Sequence, residues 1–227
     1  MLFKLLYPLP DQFLVAVSGG VDSMSALYWL TNAEKRRVQG VVHFNHFTEH
    51  AFEAQELVRN WCKAYNIPFI LGVLGKKLPK KGSLEHFYRN ERYAFFDSVD
   101  PKDLPIVVAH HLDDCVEEYV ACTMVKGFCG TIPYRRGRVI RPFRLWRKSS
   151  IVEYSEREKI SYVQDKSNFD TCFRRNFIRH EILPNLFRIN PGLYKIVEQA
   201  IHNQDEYNKV SILTEKCFNG TINSETE

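Results

Sequence analysis

The sequence predicts an α/β fold, a parallel sheet with helices on both faces, followed by a small C-terminal helical extension. Apolar runs at 13–17, 38–44, 67–74 and 104–109 alternate with helical spacing at 23–33, 49–65, 83–97 and 113–125. That alternation is the signature of strand–helix–strand units. A second observation agrees with it: the first run passes through a glycine-containing turn directly into a helical pattern.

That turn reads Ser18-Gly19-Gly20-Val21-Asp22-Ser23, after Phe13-Leu14-Val15-Ala16-Val17 and before Met24 to Leu30. It is a phosphate cradle. Gly19 and Gly20 allow positive φ and close approach to an anion, Ser18 and Ser23 offer hydroxyls, and the helix that follows aims unpaired N–H groups at the same point. The loop has no lysine and carries Asp22 at the helix start. An acid beside bound phosphates is suited to holding Mg²⁺ there while the α-phosphate is attacked.

Two further strand ends carry chemistry, Val41-Val42-His43-Phe44-Asn45-His46 and Val107-Val108-Ala109-His110-His111-Leu112-Asp113-Asp114. Ligands of parallel sheets bind beyond the carboxyl ends of the strands, where both segments fall. In the second, Asp114 and Glu117 are three residues apart and share one face of the helix, which suits an amine or a metal. Asp113 is expected to cap that helix. A zinc site from His43, His46, His110 and His111 is an alternative that spacing alone does not support. After residue 126 the pattern changes to a basic arm, then a helix capped by Ser150 with Glu153, then helices flanking Pro184 and Pro191.

At 227 residues and 44% hydrophobic content, the chain suits one main core with a small appendage. The cysteines at 62, 115, 122, 129, 172 and 217 form no Cys-x-x-Cys pair and read as reduced thiols. Met1 to Asp11 is too short and interrupted for a signal or membrane helix, so a cytoplasmic protein with no membrane partner is expected. Asn219-Gly220-Thr221 formally fits a glycosylation acceptor but falls in a polar tail.

The net charge is +4, unevenly spread. Between Glu118 and Glu153 there is no acid, while Lys126, Arg135, Arg136, Arg138, Arg141, Arg144, Arg147 and Lys148 fall inside, with Phe128, Tyr134, Phe143 and Trp146 among them. Guanidiniums for phosphates and rings for unstacked bases make an RNA-contacting arm, or else a solvated basic loop.

The loop resembles that of the PP-loop ATP pyrophosphatases, which include amide-forming synthetases, tRNA thiolases and tRNA(Ile)-lysidine synthetases. Arg89-Asn90-Glu91-Arg92-Tyr93, His110 to Asp114 with Glu117, Arg141-Pro142, Asp165 to Asp170 with Asn168, and Arg175-Asn176-Phe177-Ile178-Arg179 resemble the lysidine synthetase blocks in order, over roughly residues 13–185. The resemblance implies ATP and Mg²⁺ as cofactors, and L-lysine and tRNA(Ile) with a CAU anticodon as partners. It implies adenylation of the wobble cytidine and attack by lysine on C2. It places ATP on Ser18, Gly19, Gly20, Val21, Asp22 and Ser23, with Asp22 reaching Mg²⁺ through the phosphates. Asp114 and Glu117 would receive the lysine ammonium, Arg92 would stabilise charge during adenylation, and Arg175 and Arg179 would meet the tRNA along with Arg135, Arg136 and Arg138. The implied organisation is a PP-loop catalytic domain at 1–185 and a helical extension with a polar tail at 186–227.

Cys115 stands where that family usually has glutamine, and Phe47-Thr48-Glu49 where a Gly-Leu-Arg type turn is usual. The chain also reads as a short form without the appended RNA-binding domains, a piece of a longer protein, or a homodimer that borrows recognition from its mate. The alternatives are a PP-loop tRNA thiolase, which should show catalytic or cluster cysteines, and a non-catalytic tRNA-binding module, which should have lost Asp22, Asp114 or Glu117.

Overall fold

A computed structural model describes residues 5–33, 37–75, 78–79, 83–127, 130–164 and 170–221, with backbone alone at 33, 37, 125–126 and 208–221. The 165–169 part of the Asp165 block, Phe128 and the side chain of Lys126 lie outside the described residues.

The strands are β1 (Gln12–Ala16), β2 (Arg37–Asn45), β3 (Phe69–Val73), β4 (Ile106–Val107), β5 (Arg135–Arg136) and β6 (Val139–Ile140), in the spatial order β3-β2-β1-β4-β6-β5. All neighbours are parallel except the β5–β6 hairpin, which turns at Gly137 with φ 58°. The expected parallel sheet is therefore observed, with one addition. The basic arm is not a free loop but supplies this hairpin, and β6 joins the sheet beside β4.

The helices are α1 (Val21–Tyr28), α2 (Ala51–Ala64), α3 (Leu84–Ser98), α4 (Leu112–Lys126), α5 (Lys148–Arg157), α6 (Arg174–Phe177), α7 (Leu183–Ile189) and α8 (Leu193–Thr221). Single π-helical turns continue α1 at Trp29–Ala33 and join α6 to α7 at Ile178–Ile182. Along β1 the side chains divide between the two faces. Phe13 and Val15 pack with Met24 and Leu27 of α1 and Ile151 of α5, while Leu14 packs with Phe96 of α3, Ile106 and Val139. Burial on both faces is why the run at 13–17 is apolar throughout. A third cluster joins Leu112, Cys115, Val116 and Val120 of α4 to Val197 and Ile201 of α8.

Two rings expected to meet RNA are core residues instead. Phe143 and Trp146 are buried and pack edge-on against Trp29. Arg144 is likewise buried and pairs with Asp205 of α8, which ties the basic arm to the last helix. Burial of these large apolar and planar groups outweighs their exposure to a ligand. α5 begins two residues before the expected cap at Ser150, because the carboxylate of Asp113 on α4 accepts the Lys148 N–H at 2.8 Å and caps it from another helix.

Candidate active site

The sheet order reverses between β1 and β4, since β2 lies on one side of β1 and β4 on the other. Ligands of such sheets bind at the switch point, and here the loop after β1 and the segment after β4 meet there, with His111 Nε2 3.6 Å from Asp22 Oδ1.

The loop is self-tied. Ser23 Oγ donates to Gly20 O at 3.0 Å and accepts the Ser18 N–H at 3.1 Å, and the two serine hydroxyls lie 3.1 Å apart. The serines therefore shape the loop, and the first-turn N–H groups of Val21, Asp22 and Ser23 are left without partners inside α1. Of the two glycines only Gly19 is conformationally required: its φ is 91°, and a Cβ there would sit 2.7 Å from Ala54 Cβ of α2. Gly20 has φ −78° and serves as the N-cap.

Asp22 is flanked by two cations. Lys148 Nζ donates to its Oδ1 at 2.6 Å, and His111 Nε2 lies 3.6 Å away. Burial alone would raise the Asp22 pKa, but the hydrogen bond and charge of His111, then those of Lys148, lower it. The lysine that the loop sequence lacks thus arrives from the N-terminus of α5. Along the sequence Lys148 is one cation of a basic run; the missing cation beside Gly19-Gly20 is the signal that could have singled it out.

His111 is the N-cap of α4 and is buried among carboxylates, Asp113 Oδ2 at 3.6 Å from Nδ1, Asp114 Oδ2 at 3.5 Å and Asp22 Oδ1 at 3.6 Å from Nε2. Its Nδ1 also lies 3.4 Å from the Asp114 N–H, a contact that only an unprotonated nitrogen could accept. That contact is at the limit of hydrogen-bonding distance, whereas three carboxylates surround the ring, so the imidazolium prevails. Burial opposes the charge, but Asp114 and the hydrogen bonds of Asp113 and Asp22 raise the pKa to about 10. The cap falls to Asp114, whose Oδ2 accepts the His111 N–H at 2.9 Å. Asp113 does not cap its own helix as expected; it accepts from Lys148 N–H and from Tyr194 Oη at 2.7 Å, bracing α5 and α8 against α4.

His110 behaves in the opposite way. Burial, with Arg141, Arg175 and Arg92 nearby, overrides the charge of Asp114 and lowers its pKa to about 3. Arg141 Nε donates to its Nδ1 at 3.2 Å, which leaves the ring proton on Nε2. Arg141 is itself buried and also donates to Pro133 O and Tyr93 Oη. His43 donates from Nδ1 to Val17 O at 2.8 Å. Among the described residues no group of three or more His, Cys, Asp or Glu side chains could hold a metal, so the four-histidine zinc alternative has no support.

Asp114 and Glu117 do share one face of α4, and both are buried. Their oxygens are occupied by arginines. Arg175 Nε meets Glu117 Oε2 at 2.6 Å and its Nη2 meets Asp114 Oδ1 at 2.8 Å, while Arg179 Nε meets Glu117 Oε1 at 2.6 Å. The two arginines expected at the RNA therefore face inward. Arg92 has no carboxylate partner among the described residues, and burial together with Arg89, Arg175 and Arg141 lowers its pKa. A guanidinium among like charges is poised for an anion. In the hairpin, Arg135 and Arg136 are exposed. Arg138 instead donates to the carbonyls of Phe96, Val99, Pro101 and Leu104, a structural clamp.

Cys115, at the departure from the lysidine synthetase pattern, points away from Asp114 into the α4–α8 core, and burial pushes its thiol up to about 12. Lys148 and His111 both contact Oδ1 of Asp22, the lone acid of the loop, so a Mg²⁺ ion held by one carboxylate and substrate phosphates would take its other oxygen.

Fold and site define an α/β protein in which a glycine-containing loop after the first strand meets the start of an acidic helix. The chain belongs to the PP-loop domain family, whose model matches residues 4–186, and ATP binding comes with that membership. Similar curated proteins include the tRNA(Ile)-lysidine synthase of Lactiplantibacillus plantarum, 32% identical over 86% of this chain and 46% of that protein. Those of Geobacter sulfurreducens (35%, covering 80% and 41%) and Francisella tularensis (30%, covering 91% and 54%) are also similar. The chain spans about half the length of these relatives. Among solved structures, the U34-tRNA thiolase NcsA from Methanococcus maripaludis with its [4Fe-4S] cluster has the same fold, with a TM-score of 0.67 at 18% identity over 86% of this chain and 72% of that one. No helix among the described residues is long and apolar enough to cross a membrane.

Proposed function

We propose that this chain is the catalytic part of a tRNA-modifying ligase that joins lysine to the wobble cytidine of tRNA(Ile) with a CAU anticodon. In the first step the cytidine O2 attacks the α-phosphorus of ATP and pyrophosphate leaves. In the second the lysine amine attacks C2, AMP leaves and the nitrogen loses a proton. The observation that supports this most is the meeting of the glycine loop with the helix that carries a buried acidic pair, Asp22 lying 3.6 Å from His111 at the start of α4, because the chemistry needs an anion site and an ammonium site together.

In this reading the N–H groups of Val21, Asp22 and Ser23 with Lys148 hold the phosphates. Asp22 would hold Mg²⁺ through those phosphates, and the ion would neutralise charge on the departing pyrophosphate. Arg92, which burial and neighbouring arginines leave in need of an anion, would stabilise the charge that develops on the α-phosphate. Asp114 and Glu117 receive the lysine ammonium, for which Arg175 and Arg179 now stand in as cations. The thiolase alternative needs reactive thiolates, a role that does not suit Cys62 or Cys115, whose pKa values burial raises to about 11 and about 12.

The test is pyrophosphate release from ATP with and without that tRNA and lysine, followed by nucleoside mass analysis. Release that depends on the tRNA, with a cytidine heavier by one lysine less water, is expected. Release indifferent to tRNA, or a sulfur-bearing nucleoside, overturns the reading.

A further inference from the structure

We propose that Phe47 and Phe52 form a stacking platform on the rim of the site for one unpaired base of the bound RNA, an inference that rests on the tRNA-modifying reading above. β2 ends at Asn45, on the carboxyl edge of the sheet, and the chain then turns through Phe47 at φ 58°. A bulky aromatic residue is disfavoured in that left-handed conformation. It is held there by Asn45, itself buried, whose Oδ1 accepts the Phe47 N–H at 2.7 Å and whose Nδ2 donates to Gln55 Oε1 of α2 at 2.9 Å.

The result of this bracing is exposure. Phe47 is 53% exposed and Phe52, in the first turn of α2, is 58% exposed, with ring centroids 5.9 Å apart and planes inclined by 53°. A strained backbone that puts a ring into water gains nothing for the core, and strain of this kind persists at ligand sites. The location is also specific: Ala54, in the same turn as Phe52, is the residue against which Gly19 of the phosphate loop packs.

The chemistry of the rim selects the occupant. An aromatic face accepts the flat face of any base, and the exposed Glu49 and Glu53, near the rings in sequence, require the backbone of that base to run clear of them. The adenine of a mononucleotide would be largely enclosed by its pocket. Rings this open suit instead a base splayed from an RNA loop lying across the rim.

The experiment uses the full chain, a stem-loop RNA with a CAU anticodon carrying 2-aminopurine at one loop position at a time, and ATP measured separately by calorimetry. Phe47→Gly removes one ring and places at φ 58° the residue that tolerates it, so its thermal midpoint should be no lower than that of the parent. RNA affinity should fall about 5- to 100-fold in Phe47→Gly and in Phe52→Ala, as expected for one stacked base. The quenching of 2-aminopurine at one loop position should fall with it, and ATP affinity should stay unchanged. Unaltered RNA affinity and fluorescence in both variants overturn the platform alone. Loss of ATP affinity with RNA binding intact also overturns it, by assigning the rings to adenine. A parent protein that binds ATP but no stem-loop overturns the RNA reading itself, and the platform with it.

Discussion

Arg175 closes on Glu117 through Nε and Oε2 at 2.6 Å, and Glu117 is only 2% exposed. A buried carboxylate needs such a partner, since removing one member of a buried pair leaves a charge with neither water nor counter-ion. Arg175→Ala should therefore lower stability by about 2–3 kcal/mol, below the ~3–5 kcal/mol for stripping a wholly buried pair, because Arg179 still covers Glu117 Oε1. Urea denaturation measures it. An unchanged midpoint with weakened RNA binding would show that Arg175 serves the ligand and not the fold.

The contact of Lys148 with Asp22 gives a second expectation. Asp22→Ala should abolish pyrophosphate release while the protein stays folded, because Asp22 stands in the first turn of α1, belongs to none of the core clusters, and leaves His111 still paired with Asp113 and Asp114. Lys148→Ala should raise the KM for ATP by about tenfold or more, as loss of a charge-assisted hydrogen bond implies. Lysine saturation should stay the same. A KM for ATP that does not move in Lys148→Ala would restrict that side chain to pairing with Asp22.

His111 makes stability depend on pH. Its folded pKa of about 10 lies above the ordinary 6.5, so the folded state binds the proton more tightly than the unfolded chain. The stability this contributes is whole below pH 6.5 and is lost as pH rises through about 10. Between pH 7 and 10, the unfolding free energy of the parent should fall more steeply than that of His111→Gln, which lacks the titrating ring. Parallel curves would mean that the ring is neutral and caps α4 through Nδ1.

The arginines of the β5–β6 hairpin should separate into two kinds. Arg135→Ser with Arg136→Ser should flatten the salt dependence of tRNA binding by about one unit for each phosphate no longer neutralised, and leave stability unchanged. Arg138→Ser should do the reverse, because its guanidinium satisfies four backbone carbonyls near the end of α3. Salt titrations paired with thermal melts decide it, and a salt slope that responds only to Arg138 would invert the assignment.

What the sequence determined by itself follows from local rules. The apolar run at 13–17 had to be a strand covered on both faces, the Gly19-Gly20 pair had to turn the chain, though only the structure shows that Gly19 alone takes the positive φ, and the spacing of Asp114 and Glu117 had to put both on one face of α4. Each needs only a few consecutive residues. Tertiary structure decided what those residues touch. Nothing local brings Lys148 to Asp22, 126 positions away, or Arg175 to Asp114, 61 positions away. The basic run looked uniform because charge counting is blind to burial: the fold put Arg144 in the core against Asp205, spread Arg138 over carbonyls and left Arg135 and Arg136 in water. The two histidines after β4, adjacent in sequence, are shifted in opposite directions, because three carboxylates surround one while burial, aided by three nearby arginines, disfavours the charge of the other. A protonation state is set by the field at a point in space, and that field exists only once distant segments have packed.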